Sequence, residues 1–146
     1  MCVIISQGVY RVRKLLPLFF AVLMVAPLFS QQKDSKQAAV PAYMTEKQAN
    51  KKLPATLPPS QFTDPEVVKA YTAAKNIPKV LAQQPCYCWC SRGGHRGLLD
   101  CYTSDHAAHC GVCQKEAIFA EQMTRQGKTP AQIREAIEKS GWVNAE

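Results

Sequence analysis

Cysteine is crowded into one short part of this chain, and that crowding limits how the chain can fold. Six of its seven cysteines and all three of its histidines fall within residues 86–113 of 146. Such a cluster is typical of a disulfide framework, a redox centre or a metal site. The nine candidate site residues are Cys86, Cys88, Cys90, His95, Cys101, His106, His109, Cys110 and Cys113.

The first cluster, "PCYCWC", alternates three cysteines with two aromatic residues. Alternate residues of an extended segment point to the same face. The pattern therefore predicts three thiols on one side of the segment, with Tyr87 and Trp89 on the other side against the core. A disulfide between two of these close neighbours would strain the backbone. The spacing favours an edge of three soft ligands.

The second cluster, "HAAHCGVC", ends in a CxxC motif at a predicted helix start. Backbone amides at a helix N-terminus lower the pKa of a cysteine thiol, which serves metal binding or redox chemistry. A CxxC motif that meets a second Cys/His group is a common arrangement for zinc. Gln114 follows Cys113 where haem attachment requires histidine, and no βαβ pattern of the thioredoxin kind surrounds the motif.

The segment between the clusters, "SRGGHRGLLDC", contains three glycines that permit a tight turn back over the site. Arg92 and Arg96 either balance thiolate charge or lie in a solvated loop. Asp100 and Asp105 either orient a ligand histidine or cap a helix.

Six thiols and three imidazoles exceed what one tetrahedral site needs. Three arrangements remain open: some of these side chains bind no metal, they form two separate sites, or they form one thiolate-bridged cluster. Soft ligands of this kind suit copper(I), zinc or an iron–sulfur cluster.

The formal net charge of +7 suggests nucleic-acid binding, but most of the excess positive charge lies before the cysteine-bearing part of the chain. Residues 1–62 hold 8 basic and 2 acidic residues, whereas residues 63–146 hold 10 basic and 9 acidic residues. The cysteine-bearing part shows no basic face with interleaved aromatics, so we predict no nucleic-acid partner.

Residues 1–30 have the pattern of an export signal. Arg11, Arg13 and Lys14 precede an apolar run of 15 residues at 15–29. That run is short for a membrane span of about 20 residues. Ser30 suits cleavage but Leu28 does not, so both a cleaved signal and an uncleaved membrane anchor remain open. We expect an exported protein, periplasmic or tethered to the membrane, in a compartment where disulfides persist.

The rest of the chain divides into a linker and a small helical domain. Residues 31–62, which are rich in polar residues and contain four prolines, are predicted to be a flexible linker. Residues 63–146 are predicted to be a mainly α domain of about 84 residues, with three short helices around a loop-rich Cys/His centre. The helices are expected to begin near Thr63 or Asp64, at the CxxC motif, and at Thr129.

Residues 64–140 resemble the bacterial CYCXC proteins, also described as PCYCGC-motif proteins. The resemblance rests on "PCYCWC", the following "GH", Cys101 after an apolar pair, "HCGVC" and the "TPAQIREAIEK" tail. It implies an exported protein, often membrane-tethered, of largely unknown function. Selenocysteine in the motif region of some members would hint at redox or soft-metal chemistry. Two features depart from the pattern: Trp89 replaces the glycine of the motif, and no lipobox is evident.

Three functions fit these observations. The first is a copper- or zinc-binding module that sequesters or delivers the metal, or uses it as a structural staple. The second is a thiol–disulfide redox protein, in which Cys110 is the nucleophile and Cys113 the resolving thiol. The third is an interaction domain stapled by three disulfides, with an exported protein as its partner. An ordinary hydrolase or dehydrogenase is disfavoured, because no acid–base pair or nucleotide loop is present.

Overall fold

The structure is a computed structural model, and it describes residues 39–145. Within this range the chain is mainly helical and contains no β-strand. The α-helices are α1 (Glu46–Ala49), α2 (Pro65–Asn76), α3 (Pro78–Ala82), α4 (Gly111–Arg125) and α5 (Pro130–Glu138). The short 3₁₀ helices are Pro59–Gln61, Cys90–Gly93, Leu98–Tyr102 and Asp105–His109. The predicted mainly α class is confirmed, and the three predicted helices correspond to α2, α4 and α5.

Helix α2 begins where the sequence indicated. The Asp64 side chain accepts hydrogen bonds from the backbone N–H groups of Glu66 and Val67 at 2.8 and 3.2 Å, and Pro65 occupies the first helical position. Pro65 has no N–H to leave unpaired there, and its fixed φ suits the helix. The buried face of α2 carries Val67, Ala70, Tyr71, Ala73 and Ala74.

Helices α4 and α5 complete the helical core. Helix α4 packs along α2 and against α5, and the chain leaves α4 through Gly127 in the left-handed region at φ 76°. Thr129 and Gln132 form a capping box at the start of α5, and Ile133 and Ile137 bury its apolar stripe. Local capping and apolar spacing thus account for both helices.

Part of the predicted linker packs on the domain. Met44 is buried and donates its backbone N–H to the carbonyl of Ala82 at 2.8 Å. Ala49 of α1 is also buried, and Leu57 donates its N–H to the carbonyl of Tyr102 at 2.9 Å. The structure therefore differs from a flexible linker over residues 44–62. The segment has no sustained apolar period, so its burial was not visible in the sequence.

The predicted signal or anchor at residues 1–30, and residues 31–38 of the predicted linker, lie outside the described residues. Among residues 39–145, no helix has both the length and the apolar character needed to cross a membrane.

Candidate metal centre

The "PCYCWC" segment brings its three sulfurs together by turning. The backbone N–H of Trp89 donates to the carbonyl of Cys86 at 3.0 Å, and Trp89 lies in the left-handed region at φ 62°, ψ 28°. The predicted extended arrangement is therefore wrong. The three sulfurs still lie together, because the Cys88 Sγ atom is 3.2 Å from that of Cys86 and 2.7 Å from that of Cys90.

Helix α4 contributes the fourth sulfur. Cys110 is the N-cap of this helix and Cys113 lies in its first turn, so the CxxC motif stands at a helix start as predicted. The fully buried Sγ atom of Cys113 lies 3.4 Å from the Sγ atoms of both Cys86 and Cys88. The four ligand atoms of Cys86, Cys88, Cys90 and Cys113 all lie within 4.8 Å of one another.

A second group of four uses two of the same sulfurs. The Sγ atom of Cys90 lies 2.9 Å from Nε2 of His106, which belongs to the 3₁₀ helix Asp105–His109. The ligand atoms of Cys90, Cys101, His106 and Cys113 again lie within 4.8 Å of one another. The cysteines and histidines of the described chain can therefore hold a metal ion.

The other three candidate residues lie around these groups. Nδ1 of His95 is 3.2 Å from the Sγ atom of Cys101, which places His95 beside a candidate ligand. The side chain of His109 is 78% exposed, and its Nε2 lies 3.7 Å from a carboxylate oxygen of Asp105. Cys110 is half-buried at the edge of the centre. Asp105 thus faces His109, a histidine on the solvent side of the centre.

The outer face of the centre is open. A pocket of about 490 Å³ reaches it from solvent, with walls that include Cys88, Cys90, His106, His109 and Cys110. The inner face is closed, since Cys86, Cys101 and Cys113 belong to the buried core. An ion in the centre would therefore be buried on one side and accessible from the other.

The three buried thiols shift one another's acidity. Hydrogen bonding with Cys101 lowers the pKa of Cys86, but hydrogen bonding with Cys113 and burial outweigh it, so this pKa lies above its usual range. The pKa of Cys101 is also raised, because contact with Cys86 and burial outweigh the lowering effect of Cys113. Contact with Cys101, together with burial, raises the pKa of Cys113. A raised pKa favours the neutral, protonated form of these thiols, and a thiol must lose its proton to act as a metal ligand.

The sulfur separations are close to those of a metal site, though somewhat compressed. Four sulfurs around a tetrahedral zinc ion, with Zn–S bonds of about 2.3 Å, lie about 3.8 Å apart. The contacts of Cys113 with Cys86 and Cys88 need only a small expansion from 3.4 Å. Cys88 and Cys90, now 2.7 Å apart, must separate further, and both side chains are half-buried.

The two loop arginines interact with other groups than the thiols. The guanidinium of Arg96 donates from Nε and Nη2 to the Asp100 carboxylate at 2.9 and 2.8 Å. Burial raises the pKa of Asp100, but the hydrogen bonds and charge of Arg96 outweigh burial and hold that pKa below its usual range. The Arg92 guanidinium lies 5.1 Å from the ring centroid of Trp89. Asp100 therefore anchors Arg96 rather than a ligand histidine.

Sequence reasoning missed Glu116, which holds the "PCYCWC" turn from behind. Oε1 of this fully buried side chain accepts a hydrogen bond from the backbone N–H of Tyr87 at 2.9 Å, while Oε2 has no partner. Burial raises the pKa of Glu116 to about 8, although hydrogen bonds from Tyr87 and Cys86 lower it. Its signal in the sequence is a charged residue three positions after Cys113, on the face of α4 that must be buried.

Gly97 allows the segment bearing Cys101 to approach α3. A Cβ atom at this position would lie 2.6 Å from the carbonyl oxygen of Ala82 and 3.3 Å from that of Gln84. The next residue, Leu98, donates its N–H to the Gln84 carbonyl at 2.9 Å. The absence of a side chain at Gly97 is therefore needed for this close approach.

Comparison with known proteins identifies a family, but that family has no assigned activity. The family described as "Protein of unknown function with PCYCGC motif" matches residues 19–142. The chain belongs to this family. The PCYCGC motif has glycine where this chain has Trp89, and Trp89 occupies the left-handed backbone region that glycine adopts without a steric penalty. No curated protein and no solved structure matches the chain.

Proposed function

We propose that this member of the PCYCGC family is an exported protein that binds a soft metal ion, copper(I) or zinc, for sequestration or delivery. The observation that carries the proposal is the convergence of the ligand atoms of Cys86, Cys88, Cys90 and Cys113 within 4.8 Å. Thiolate ligands select copper(I) and zinc over hard cations such as magnesium and calcium.

The arrangement of the sulfurs supports metal binding over three structural disulfides. A disulfide framework needs each sulfur to have one partner. Here the Sγ atom of Cys88 has three sulfur neighbours, those of Cys86, Cys90 and Cys113, at 2.7–3.4 Å. One sulfur with three close neighbours is the geometry of ligands that converge on a common ion.

The open outer face supports an ion that exchanges. Structural zinc sites are closed, with four protein ligands and no route to solvent. In this protein Cys88, Cys90 and His106 lie on the wall of the pocket. An incoming donor or acceptor of the metal would reach these ligands first, which fits sequestration or delivery better than a purely structural staple.

The proposal of export rests on residues 1–30 alone. Their basic stretch and 15-residue apolar run have the order of a signal peptide or N-terminal anchor. Fractionation of cells that express the full chain tests this proposal. Recovery in the extracytoplasmic or membrane fraction supports it, and recovery with the cytoplasmic proteins contradicts it.

The test of metal binding is native mass spectrometry on the full-length chain, purified without added metal and then offered Zn²⁺ or Cu⁺ under reducing conditions. We expect a metal adduct in which Cys86, Cys88, Cys90 and Cys113 no longer react with a thiol reagent. A chain that, as purified and before reduction, carries no metal and is lighter by the six hydrogen atoms that three disulfides remove would contradict the proposal. The Cys88→Ser variant should bind less metal, whereas Cys110→Ser, outside both ligand groups, should bind as much as the unaltered chain.

A second candidate function is thiol–disulfide exchange at the CxxC motif. It is favoured by Cys110, which lies half-buried at the N-cap of α4 and lines the open pocket. The Cys110 thiolate would attack a substrate disulfide and release one substrate thiol. Cys113 would then displace the second substrate thiol and leave a Cys110–Cys113 disulfide. Cys110→Ser separates the two functions, because it would abolish this exchange and leave metal binding intact.

A further inference from the structure

The two candidate ligand groups overlap in a specific way. One consists of Cys86, Cys88, Cys90 and Cys113, and the other of Cys90, Cys101, His106 and Cys113. Cys90 and Cys113 are common to both. Six side chains therefore supply two complete sets of four ligands, provided that two sulfurs serve twice.

We infer that the centre binds two soft metal ions, bridged by the thiolates of Cys90 and Cys113. This inference rests on the proposed metal-binding function and extends it from one ion to two. Cys86 and Cys88 are the terminal ligands of the first ion, and Cys101 and His106 are those of the second ion. A thiolate has more than one lone pair, so one sulfur can bind two ions.

The contacts place the proposed bridging sulfurs between the two pairs of terminal ligands. The Sγ atom of Cys90 lies 2.7 Å from that of Cys88 on one side and 2.9 Å from Nε2 of His106 on the other. The Sγ atom of Cys113 lies 3.4 Å from those of Cys86 and Cys88, and within 4.8 Å of the Sγ atom of Cys101. Each bridge therefore contacts a terminal ligand of both ions.

Charge also favours two divalent ions over one in this partly buried centre. One divalent ion with four thiolates leaves two formal negative charges, and a second set of ligands stands unused beside it. Two divalent ions with five thiolates and a neutral imidazole leave a single formal negative charge. Because burial penalises net charge, the bridged pair is better suited to a site whose inner wall is closed.

His95 supports the second ligand group from outside. Its Nδ1 lies 3.2 Å from the Sγ atom of Cys101, and its ring meets the ring of His106 edge to face at a centroid distance of 5.2 Å. Side chains that contact ligands in this way fix their orientation and tune the bound metal. His95 is thus a positioning residue for Cys101 and His106, not a ligand.

Stoichiometry tests the inference. The full-length chain is titrated with Zn²⁺ under reducing conditions, and bound ions are counted by native mass spectrometry. Two ions per chain are expected. A parallel titration with Co²⁺ reports on the bridges, because bridging thiolates couple the two spins. The paramagnetic signal should grow up to one equivalent and fall as the second ion enters.

Three variants make the ligand assignment falsifiable. Cys101→Ser and His106→Gln should each reduce the count from two ions to one, because each removes a terminal ligand of the second ion. The matched control, His109→Gln, should retain two ions, since His109 belongs to neither group. Circular dichroism of the metal-free variants identifies any loss of fold.

The possible results separate this inference from the proposed function. One ion in the unaltered chain, with no effect of His106→Gln, would overturn the bridged pair and leave the proposed function standing. No bound ion would overturn both. Two ions that persist in both Cys101→Ser and His106→Gln would overturn the assignment of Cys101 and His106 as ligands.

Discussion

The helical part of this domain and its ligand loop are held together by different means. Helices α2 and α5 begin at side-chain N-caps and pack through side chains such as Ala70, Ala74 and Ile133, which are fully buried. Residues 85–110 form turns and three 3₁₀ helices, and their buried residues include Leu98 and Leu99 together with Cys86 and Cys101. Both parts contribute to one apolar core, but the loop has no long helix and places two thiols in that core.

Two tyrosines connect these parts. Tyr71 of α2 donates its hydroxyl to the carbonyl of Ser104 at 2.7 Å, and Tyr102 of the loop donates to the carbonyl of Cys113 at 2.6 Å. The Tyr102 hydrogen bond therefore ties the loop to the first turn of α4, where Cys113 lies. Under the proposed function, a metal ion held by the sulfurs would connect the two parts a second time, as in small domains that need a staple.

The largest expected effect comes from removing the metal. Chelation should speed amide hydrogen exchange over residues 85–110 and leave α2 and α4 nearly as protected as before, because only the loop relies on metal–sulfur bonds. Structural zinc in small domains contributes about 10–16 kcal/mol to apparent stability. Exchange mass spectrometry measures the difference, and re-adding Zn²⁺ is the control. A uniform loss of protection would remove the distinction between the two parts.

The second-largest effect is expected from removing the Glu116 carboxyl group, which holds the "PCYCWC" turn. Glu116→Ala should lower the free energy of unfolding by about 3 kcal/mol, since it leaves a cavity and removes the acceptor for the Tyr87 N–H. Glu116→Gln keeps the shape and the acceptor, so it should retain nearly full stability. Urea denaturation of the metal-free variants measures both. Equal stability of the Ala and Gln variants would show that the buried acceptor has no role.

A smaller effect is expected from crowding the contact between the loop and α3. Gly97→Ala would place a methyl group 2.6 Å from the Ala82 carbonyl oxygen. It should lower the free energy of unfolding by about 2 kcal/mol. Gly93→Ala is the matched control, because its added Cβ meets no atom within 4 Å. Urea denaturation of both variants measures the difference. Indistinguishable midpoints would contradict the close approach of Gly97 to the Ala82 carbonyl.

The smallest effect concerns the position at which this chain departs from its family motif. Trp89→Gly relieves a left-handed conformation, and Trp89→Ala keeps it, while both lose the stacking with Arg92. The glycine variant should therefore be more stable than the alanine variant by about 1 kcal/mol, with unchanged metal content in both. Thermal unfolding and metal analysis test this ordering. Its reversal would mean that the backbone of this turn is not left-handed.

Local signals in the sequence determined the helices and their class. Asp64 before Pro65 and Thr129 before Pro130 mark helix starts through contacts within three residues, and the structure confirms both. The CxxC motif likewise predicted sulfurs at the start of α4. Such predictions succeed because capping and apolar spacing depend on neighbours along the chain. The extended path of "PCYCWC" failed because the turn at Trp89 needs a backbone conformation that tryptophan rarely adopts.

The sequence by itself predicted a Cys/His centre and nine candidate side chains for it. Only the tertiary structure decided how they divide: Cys101 and His106 meet Cys90, while His109 faces solvent. The burial of Glu116 behind the turn was likewise decided there. The physical reason is that loop segments take their path from what they pack against, such as the Gly97 contact with α3. Ligand sets assembled from separate loops therefore depend on distances that no local pattern encodes.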